Sequence, residues 1–253
     1  MKIMNMDAII ALKSIPDHSI DFILCDPPYG TTGCSWDKPL DFKKVWVELN
    51  RCLKPYRSIA IFGSEPFSTR LKCSNLEDYK YDWYWVKPKA NGFQHAKNKP
   101  MAAVETISLF SKGSINHASL SDKRMLYNPV GIIPTGYKKV KESSHSGKTT
   151  GSKEKGKSSR PNQVGKEYMA YTGFPSTVLH YPQVLKGDHP TQKPVELLRF
   201  LIESYSNPGD TVLDFTMGSG STGVAAISSG RDFIGIELNE EYYEIAKRKL
   251  ELL

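Results

Sequence analysis

The stretch Val212-Leu-Asp-Phe-Thr-Met-Gly-Ser-Gly-Ser-Thr-Gly223 decides the fold of this 253-residue chain. It begins as an apolar strand ending at Asp214, passes through a glycine turn and enters a helix. Gly218 and Gly220 permit positive φ angles and close backbone approach to a ligand, and the amides of the following helix can face a polar group. The stretch lacks the Gly-x-x-x-x-Gly-Lys-Ser/Thr pattern of a triphosphate-binding loop. A glycine turn alone is also compatible with a purely structural connection.

An acidic residue follows this turn at a spacing that is typical of a ribose-binding acid. Glu237 ends the next predicted strand, 23 residues after Asp214. A carboxylate in that position can accept both hydrogen bonds from a ribose diol. The turn and the acid together predict a site for an adenosine-containing cofactor.

Apolar strands alternate with helical segments along the chain, which predicts an α/β fold with a doubly wound, mainly parallel sheet. The region 88–187 is rich in turn residues and has no long helical period, so we expect an insertion there, within a core of residues 1–87 and 188–253. The predicted strands are 21–26, 58–62, 81–86, 106–110, 211–215 and 233–237. The predicted helices are 41–53, 193–205, 222–228 and 239–252.

A second turn, Asp26-Pro27-Pro28-Tyr29-Gly30, directly follows the apolar run 21–26. It is therefore expected at the carboxyl edge of the sheet, where α/β folds bind ligands. The prolines stiffen the turn and provide carbonyls without competing amides. Asp26 and the Pro27 carbonyl can grip an exocyclic amino group while the Tyr29 ring stacks on its base. A purely structural Pro-Pro turn would not explain the acid and the ring together.

These two turns and the segment His189-Pro-Thr-Gln-Lys-Pro194 resemble the catalytic, cofactor and flanking motifs of S-adenosylmethionine-dependent DNA amino-methyltransferases. Their order, with the catalytic motif first and the cofactor glycines last, resembles the beta arrangement of that family. The resemblance covers residues 1–110 and 174–253, and the variable region between them resembles a target-recognition domain. It implies a Rossmann-like methyltransferase fold and a reaction that needs no metal and no covalent nucleophile.

The resemblance assigns the catalytic roles to the Asp-Pro-Pro-Tyr turn. Asp26 and the Pro27 carbonyl would accept hydrogen bonds from the target amino group, with Pro28 beside them, and Tyr29 would stack on the flipped base. The methyl group would move directly from the sulfonium, so catalysis would rest on positioning and on stabilising charge on nitrogen. The leading Asp favours adenine N6, since cytosine-N4 relatives more often begin with Ser.

The resemblance also implies a cofactor site, with Glu237 on the ribose and Asp7 near the adenine. For Asp7 the alternative is an N-cap for a helix that begins at Ala8. The family turn usually has Pro and Phe where this chain has Phe215 and Thr216, so Thr216 would offer a hydroxyl in place of an aromatic contact. The other predicted cofactor contacts are Asp214, Gly218, Ser219, Gly220, Ser221 and Thr222 of the turn, and Thr191 and Lys193, which would reach the cofactor carboxylate.

The positive charge is concentrated in one segment. The formal net charge is +7, and residues 138–160 hold eight basic against two acidic residues. With one bulky apolar residue, this segment is predicted to be a mobile loop. A solvated linker and a phosphate-tracking arm are the two interpretations, and the basic balance favours the arm, with double-stranded DNA as the partner. Candidate DNA contacts are Trp36 (for which core packing is equally compatible), Lys87, Lys89, Gln94, His95, Lys97, Lys138, Lys139, Lys141 and Lys148.

Composition argues against several other classes of protein. The N-terminus lacks a signal-peptide core, and no apolar run approaches membrane-spanning length. The four cysteines lack the paired spacing of a zinc site or a disulfide framework. We therefore expect a cytoplasmic protein of a bacterial or phage-infected cell, without a metal or membrane partner. The sequence leaves open a homodimer and a partner restriction endonuclease.

The leading hypothesis is a site-specific DNA methyltransferase that acts on adenine N6 with S-adenosylmethionine. A cytosine-N4 DNA methyltransferase or an RNA amino-methyltransferase would use the same turn. A non-catalytic nucleic-acid-binding protein on this scaffold is disfavoured, because it would not need Asp26, Tyr29 and Glu237 together.

Overall fold

The computed structural model describes residues 1–31, 37–116, 122–140, 167–184, 187–188 and 191–253. Backbone contacts divide it into two compact units, one of Met1–Asn128 with Ser176–Leu253 and one of Pro129–Pro175. The first unit carries both turns, and it also contains residues 88–128 and 176–187 of the predicted insertion. In the described part of the chain, no helix has the length and apolar character needed to cross a membrane.

All the predicted strands and helices are present, and several strands extend beyond their predicted ends. Short or mixed patterns hide β1, α3 and β8 from the sequence analysis. The first unit contains β1 (Lys2–Asn5), α1 (Ala8–Lys13), β2 (Ile20–Cys25), α2 (Phe42–Cys52), β3 (Leu53–Gly63), α3 (Phe67–Ser74), β4 (Tyr79–Asn91) and β5 (Ala102–Ser111). After the second unit, with β6 (Ile133–Val140) and β7 (Glu167–Thr172), it continues with β8 (Val178–His180), α4 (Val195–Tyr205), β9 (Thr211–Asp214), α5 (Ser221–Ser228), β10 (Asp232–Glu237) and α6 (Glu240–Leu250).

The eight strands of the first unit form one sheet in the order β1-β10-β9-β2-β3-β5-β4-β8. The pairs β1–β10, β10–β9, β9–β2, β2–β3 and β4–β8 are parallel, whereas β5 runs antiparallel to both β3 and β4. The prediction of a doubly wound, mainly parallel sheet is therefore confirmed.

Helices cover both faces of this sheet, which explains the continuous apolar run of β2. Phe22 and Leu24 pack in a core shared with α4, α5 and α6, while Ile23 and Cys25 pack in a core shared with α1, α2 and α3. Successive side chains of a strand point to opposite faces, so a strand covered on both sides needs apolar residues at nearly every position.

The connections around β2 and β9 create the ligand-binding edge of the sheet. The two strands are parallel neighbours, with Ile23 opposite Leu213. The chain leaves β2 through α2 to reach β3 on one side, and leaves β9 through α5 to reach β10 on the other. Connections that diverge in this way open a crevice at the carboxyl ends of the strands.

The second unit contains the antiparallel pair β6–β7. Lys138 Nζ of β6 lies 3.0 Å from Glu167 Oε2 of β7, and both side chains are exposed. The predicted mobile loop 138–160 was wrong at its start, because residues 138–140 form the last part of β6 and pair with β7. Residues 141–160 lie outside the described residues, and for them the loop stays a prediction.

Candidate functional site

Both predicted turns line one cavity of about 620 Å³. Asp26 follows β2 and Asp214 ends β9, so the parallel pairing of these strands brings the two carboxylates to the same edge. A wider cavity of about 800 Å³ lies elsewhere in the first unit and contains no predicted site residue. The predicted catalytic and cofactor residues that line the smaller cavity are Asp7, Asp26, Pro27, Pro28, Tyr29, Thr191, Lys193, Asp214, Thr216, Gly218, Ser219, Ser221, Thr222 and Glu237.

The glycine turn is fixed by backbone amides that bond to two carboxylates. The Thr216 amide donates to Asp214 Oδ1 at 3.0 Å, and the Gly218 amide donates to Glu237 Oε2 at 2.9 Å. Gly218 and Gly220 have φ angles of 51° and 83°, in the left-handed region that side chains disfavour. The backbone geometry of the turn therefore accounts for glycine at both positions.

The two acids of this half of the cavity form no salt bridge with any described residue. Burial raises the pKa of Asp214 to about 7 and also raises the pKa of Glu237. The second oxygen of Glu237 accepts a hydrogen bond from the Asn239 amide at 2.8 Å. Each carboxylate oxygen can accept more than one hydrogen bond, so Glu237 retains capacity for a diol. Acids without a cationic partner suit a ligand that carries positive charge and hydroxyl groups.

The start of α5 offers an unpaired hydroxyl to a ligand. Ser221 is buried, it lines the cavity, and its Oγ has no hydrogen-bond partner among the described residues. A buried polar atom without a partner costs free energy that a bound ligand can recover. Gly220 does not line the cavity; a Cβ there would come within 2.9 Å of the Ala246 Cβ, so this glycine allows close packing of α6. The residues present thus fit a polar adenosine-containing cofactor.

Asp7 combines its two expected positions. Its Oδ1 accepts hydrogen bonds from the amides of Ile9 at 2.9 Å and Ile10 at 3.1 Å, so it caps α1. It also lines the cavity. The capping role is confirmed, and the contact with an adenine stays a prediction.

The Asp-Pro-Pro-Tyr turn is surrounded by charged side chains. Asp26 Oδ1 accepts a hydrogen bond from the Tyr29 hydroxyl at 2.6 Å, and Oδ2 accepts one from Lys193 Nζ at 2.5 Å. Both donors also lie 2.9 Å from Glu105 Oε1. Lys87 Nζ lies 3.3 Å from Glu105 Oε2. Two carboxylates, two ammonium groups and one phenol thus form a single network in the cavity wall.

The pKa values in this network follow from burial and neighbouring charge. Burial raises the pKa of Asp26, and the Glu105 charge adds to this rise although Lys193 opposes it. Burial acts to lower the pKa of Lys193, but Asp26 and Glu105 outweigh it and raise that pKa. Burial also acts on Glu105, but Lys193 and Lys87 outweigh it and lower the pKa of this carboxyl. Lys193 therefore stays an ammonium near neutral pH and offers donors to both carboxylates.

The Tyr29 ring is held by stacking as well as by its hydroxyl. It packs on Phe67 of α3, with ring centroids 4.9 Å apart and planes inclined by 25°. Burial and the two neighbouring carboxylates raise the pKa of Tyr29, so its hydroxyl remains a donor. A planar ligand can stack only on the ring face that Phe67 leaves uncovered.

Three features of the site go beyond the sequence patterns. The family resemblance assigned Lys193 to the cofactor carboxylate, whereas the structure places its ammonium between Asp26 and Glu105. Glu105 is an acid directly before the predicted strand 106–110, and that position was the only signal for it. Asp37 secures the end of the catalytic turn, because its carboxylate accepts from the amides of residues 30 and 31 at 2.7 and 2.8 Å.

The predicted DNA contacts fall into three groups. Lys87 is buried against Glu105, which removes its ammonium from the surface. Trp36, Lys141 and Lys148 lie outside the described residues, and only the backbone of Lys139 is described. The exposed candidates are Lys89, Gln94, His95 and Lys97 at the end of β4 and in the turn after it, and Lys138 on β6.

Comparison with known proteins identifies the family. A sequence model of the family described as DNA methylase matches residues 20–248. The chain belongs to this DNA methylase family. Membership confirms the resemblance drawn from the two turns and the Pro-Thr-Gln-Lys-Pro segment.

Individual members of the family match over nearly the whole chain. The Escherichia coli (strain K12) protein named DNA adenine methyltransferase YhdJ is 32% identical over 99% of this chain and 82% of its own. The Moraxella bovis type II methyltransferase M1.MboII is 31% identical over 95% of this chain and 93% of its own.

Solved structures share the fold. M1.HpyAVI in complex with SAM has a TM-score of 0.61 at 23% identity and covers 98% of this chain and 99% of its own. The cytosine-N4-specific PvuII DNA methyltransferase has a TM-score of 0.65 at 17% identity, over 97% of this chain and 84% of its own. These likenesses show that the fold of this chain is shared with solved DNA methyltransferase structures.

Proposed function

We propose that this DNA methylase acts on the N6 amino group of a flipped adenine in duplex DNA, with S-adenosylmethionine as methyl donor. The observation that carries the proposal is the shared cavity, in which Asp26 and Tyr29 lie beside the glycine turn and Glu237. An aspartate at the head of the catalytic turn favours adenine. A relative 32% identical to the chain carries the name of a DNA adenine methyltransferase, which supports the same choice.

The glycine-turn half of the cavity would hold the cofactor. Glu237 accepts from the ribose diol, Ser221 gains the partner that its buried hydroxyl lacks, and Asp7 lies near the adenine. The carboxyl groups of Asp214 and Glu237 form no salt bridge among the described residues, so they suit a cationic ligand, whose charge would favour their ionised forms, and they disfavour a phosphate. When bound, S-adenosylmethionine supplies a methyl group already activated by a sulfonium.

The catalytic turn would hold the target base. Asp26 and the Pro27 carbonyl accept hydrogen bonds from the amino group, which orients the nitrogen lone pair toward the cofactor. The carboxylate also stabilises the positive charge that develops on this nitrogen, and Tyr29 stacks on the base. A base within a duplex cannot reach this cavity, so the target must be extruded.

The region 88–187 and the basic segment 138–160 are proposed to contact DNA. The test replaces Lys141, Lys148, Lys153, Lys155 and Lys157 by Ser, which leaves β6 intact. Five lost phosphate contacts would reduce the slope of log K against log [salt] by up to about 4.5, with cofactor affinity unchanged. The control replaces five lysines elsewhere by Ser, none of which contacts the glycine turn: Lys2, Lys13, Lys43, Lys44 and Lys247. An unchanged slope in the first variant would make the segment a linker.

The decisive experiment identifies the methylated nucleoside. The protein is incubated with labelled S-adenosylmethionine and duplex DNA of mixed sequence, and the product is digested and separated. Label in N6-methyladenine supports the proposal. Label only in N4-methylcytosine or in RNA moves the assignment to another amino group, and no transfer under any condition overturns the enzymatic role.

The setting of the reaction is also proposed. We expect the enzyme in the cytoplasm of a bacterial or phage-infected cell, because its DNA substrate is located there. A homodimer and a partner restriction endonuclease stay predictions. Analytical ultracentrifugation would test the homodimer, and the genes next to the one for this chain would test the endonuclease.

A further inference from the structure

Glu105 of β5 touches both groups that bind Asp26. The Tyr29 hydroxyl and the Lys193 ammonium each bridge the two carboxylates, at 2.6 and 2.5 Å from Asp26 and at 2.9 Å from Glu105. Lys87 secures the other oxygen of Glu105 at 3.3 Å. The result is a closed ring of contacts in which the position of each donor depends on Glu105.

Stability does not account for this arrangement. The side chains of Lys193, Glu105 and Lys87 are only 7%, 8% and 7% exposed, whereas Asp26 is 23% exposed. Removing such ions from water is costly, and apolar residues of similar volume usually stabilise a fold at least as well. The network therefore fits a functional role at its less buried end, where Asp26 lies.

We propose that Glu105 is a positioning residue for methyl transfer: it shares Lys193 and Tyr29 with Asp26, so that these donors hold the Asp26 carboxylate in place, pair with it only in part and leave it a lone pair for the target amino group. An ammonium shared by two carboxylates neutralises each only in part. Without the Glu105 charge, Asp26 would be paired with Lys193 alone, and the ammonium groups of Lys193 and Lys87 would be balanced by one carboxylate fewer, which opposes positive charge on the reacting nitrogen. The proposal rests on the role assigned to Asp26 above.

The main test is Glu105→Gln, which keeps the shape and removes the charge. The titratable groups facing Asp26 are Tyr29 of its own turn, Glu105, Lys193, Cys25 at the end of β2 and Asp214 at the end of β9. Single-turnover methyl transfer is measured with the full chain, labelled S-adenosylmethionine and duplex DNA across the pH range. We expect the rate to fall roughly 10- to 100-fold, with cofactor and DNA affinities changed less than about 3-fold.

The pH profile distinguishes positioning from a structural defect. Loss of the Glu105 charge favours ionised Asp26, so the acid limb of the rate should move to lower pH by about one unit. Lys87→Met should move it to higher pH, because the Glu105 charge is then less neutralised. Glu105→Asp, which keeps the charge, should recover part of the rate.

The matched control is Asp82→Asn, which removes another buried carboxylate of the same sheet. Asp82 accepts from Lys72 at 3.0 Å and from Ser108 at 2.7 Å, and it does not line the cavity. It should lower the melting temperature and leave the acid limb in place. Should Glu105→Gln not fold, Lys87→Met and Glu105→Asp carry the same test.

Two different failures can be separated with Asp26→Asn. If Asp26→Asn retains normal turnover, the role of Asp26 fails, and the proposal for Glu105 fails with it. If Asp26→Asn is inactive while the Glu105 and Lys87 variants leave both rate and acid limb unchanged, only the role of Glu105 is overturned.

Discussion

Two turns follow neighbouring parallel strands and line one cavity, but their carboxylates have different hydrogen-bond partners. After β2, Asp26 is bonded by the charged side chain of Lys193 and by Tyr29. After β9, Asp214 accepts hydrogen bonds from the backbone amide of Thr216 and from the Thr222 side chain, both uncharged, and no described residue forms a salt bridge with it. Both acids have a raised pKa caused by burial, but only Asp26 has an ammonium to oppose the rise.

The difference separates two kinds of binding. Backbone amides hold the glycine turn in a fixed shape and leave its negative charge for a cationic cofactor. Side-chain charges surround Asp26, and under the proposed function they would set its strength as an acceptor where positive charge develops. Mutations in the two halves should therefore affect different measurements.

The largest effect is expected for Asp26→Ala. The single-turnover rate should fall by at least roughly 1,000-fold, because the amino group loses its main acceptor. Calorimetric affinity for S-adenosylmethionine should stay within about 3-fold, since the other half binds the cofactor. Asp41→Ala, the same change at the exposed N-cap of α2, should leave both quantities near their original values. If Asp26→Ala lost both rate and cofactor affinity, the two turns would not have the separate roles proposed for them.

The next effect concerns stability and pH at Asp214. Its folded pKa of about 7 exceeds the ordinary value of 3.8, so the folded state binds the proton more tightly. The contribution of Asp214 to the free energy of unfolding is therefore fully present below about pH 4 and is lost as the pH rises through 7. The total loss is at most about 4 kcal/mol. The free energy of unfolding is measured in urea without cofactor. Between pH 4 and 8, its value for Asp214→Asn should rise relative to that of the original chain. Parallel stability curves would contradict this account of the glycine turn.

A smaller effect is expected for Glu237→Ala. Cofactor affinity should weaken by roughly 10- to 100-fold, because a charge-assisted acceptor is lost and the Gly218 amide is released. The rate at saturating cofactor should remain within about 3-fold, since Asp26 and Tyr29 are untouched. Glu244→Ala on the exposed face of α6 is the matched control. A variant that loses rate but not affinity would place Glu237 with the catalytic turn.

Much of the fold and half of the site could be predicted from local sequence. The strand–turn–helix pattern around Asp214, the apolar run before Asp26 and the spacing to Glu237 report local geometry, because strand period, proline stiffness and positive φ depend on nearby residues. Parallel strands then place both turns at one edge of the sheet. The glycine turn is correspondingly well described, since its bonds are made within a few residues or to the neighbouring strand.

The charged network was decided by tertiary structure alone. Tyr29 meets Glu105 across 76 residues, and Asp26 meets Lys193 across 167. These contacts require β5 to enter the sheet antiparallel to β3 and the segment before α4 to return to the cavity. Strand order and register set such meetings, and they depend on the packing of the whole sheet, which no short pattern records. The sequence thus determined which two turns meet at the cavity, because their geometry is local, and the tertiary structure decided which charges surround them, because those charges come from distant segments.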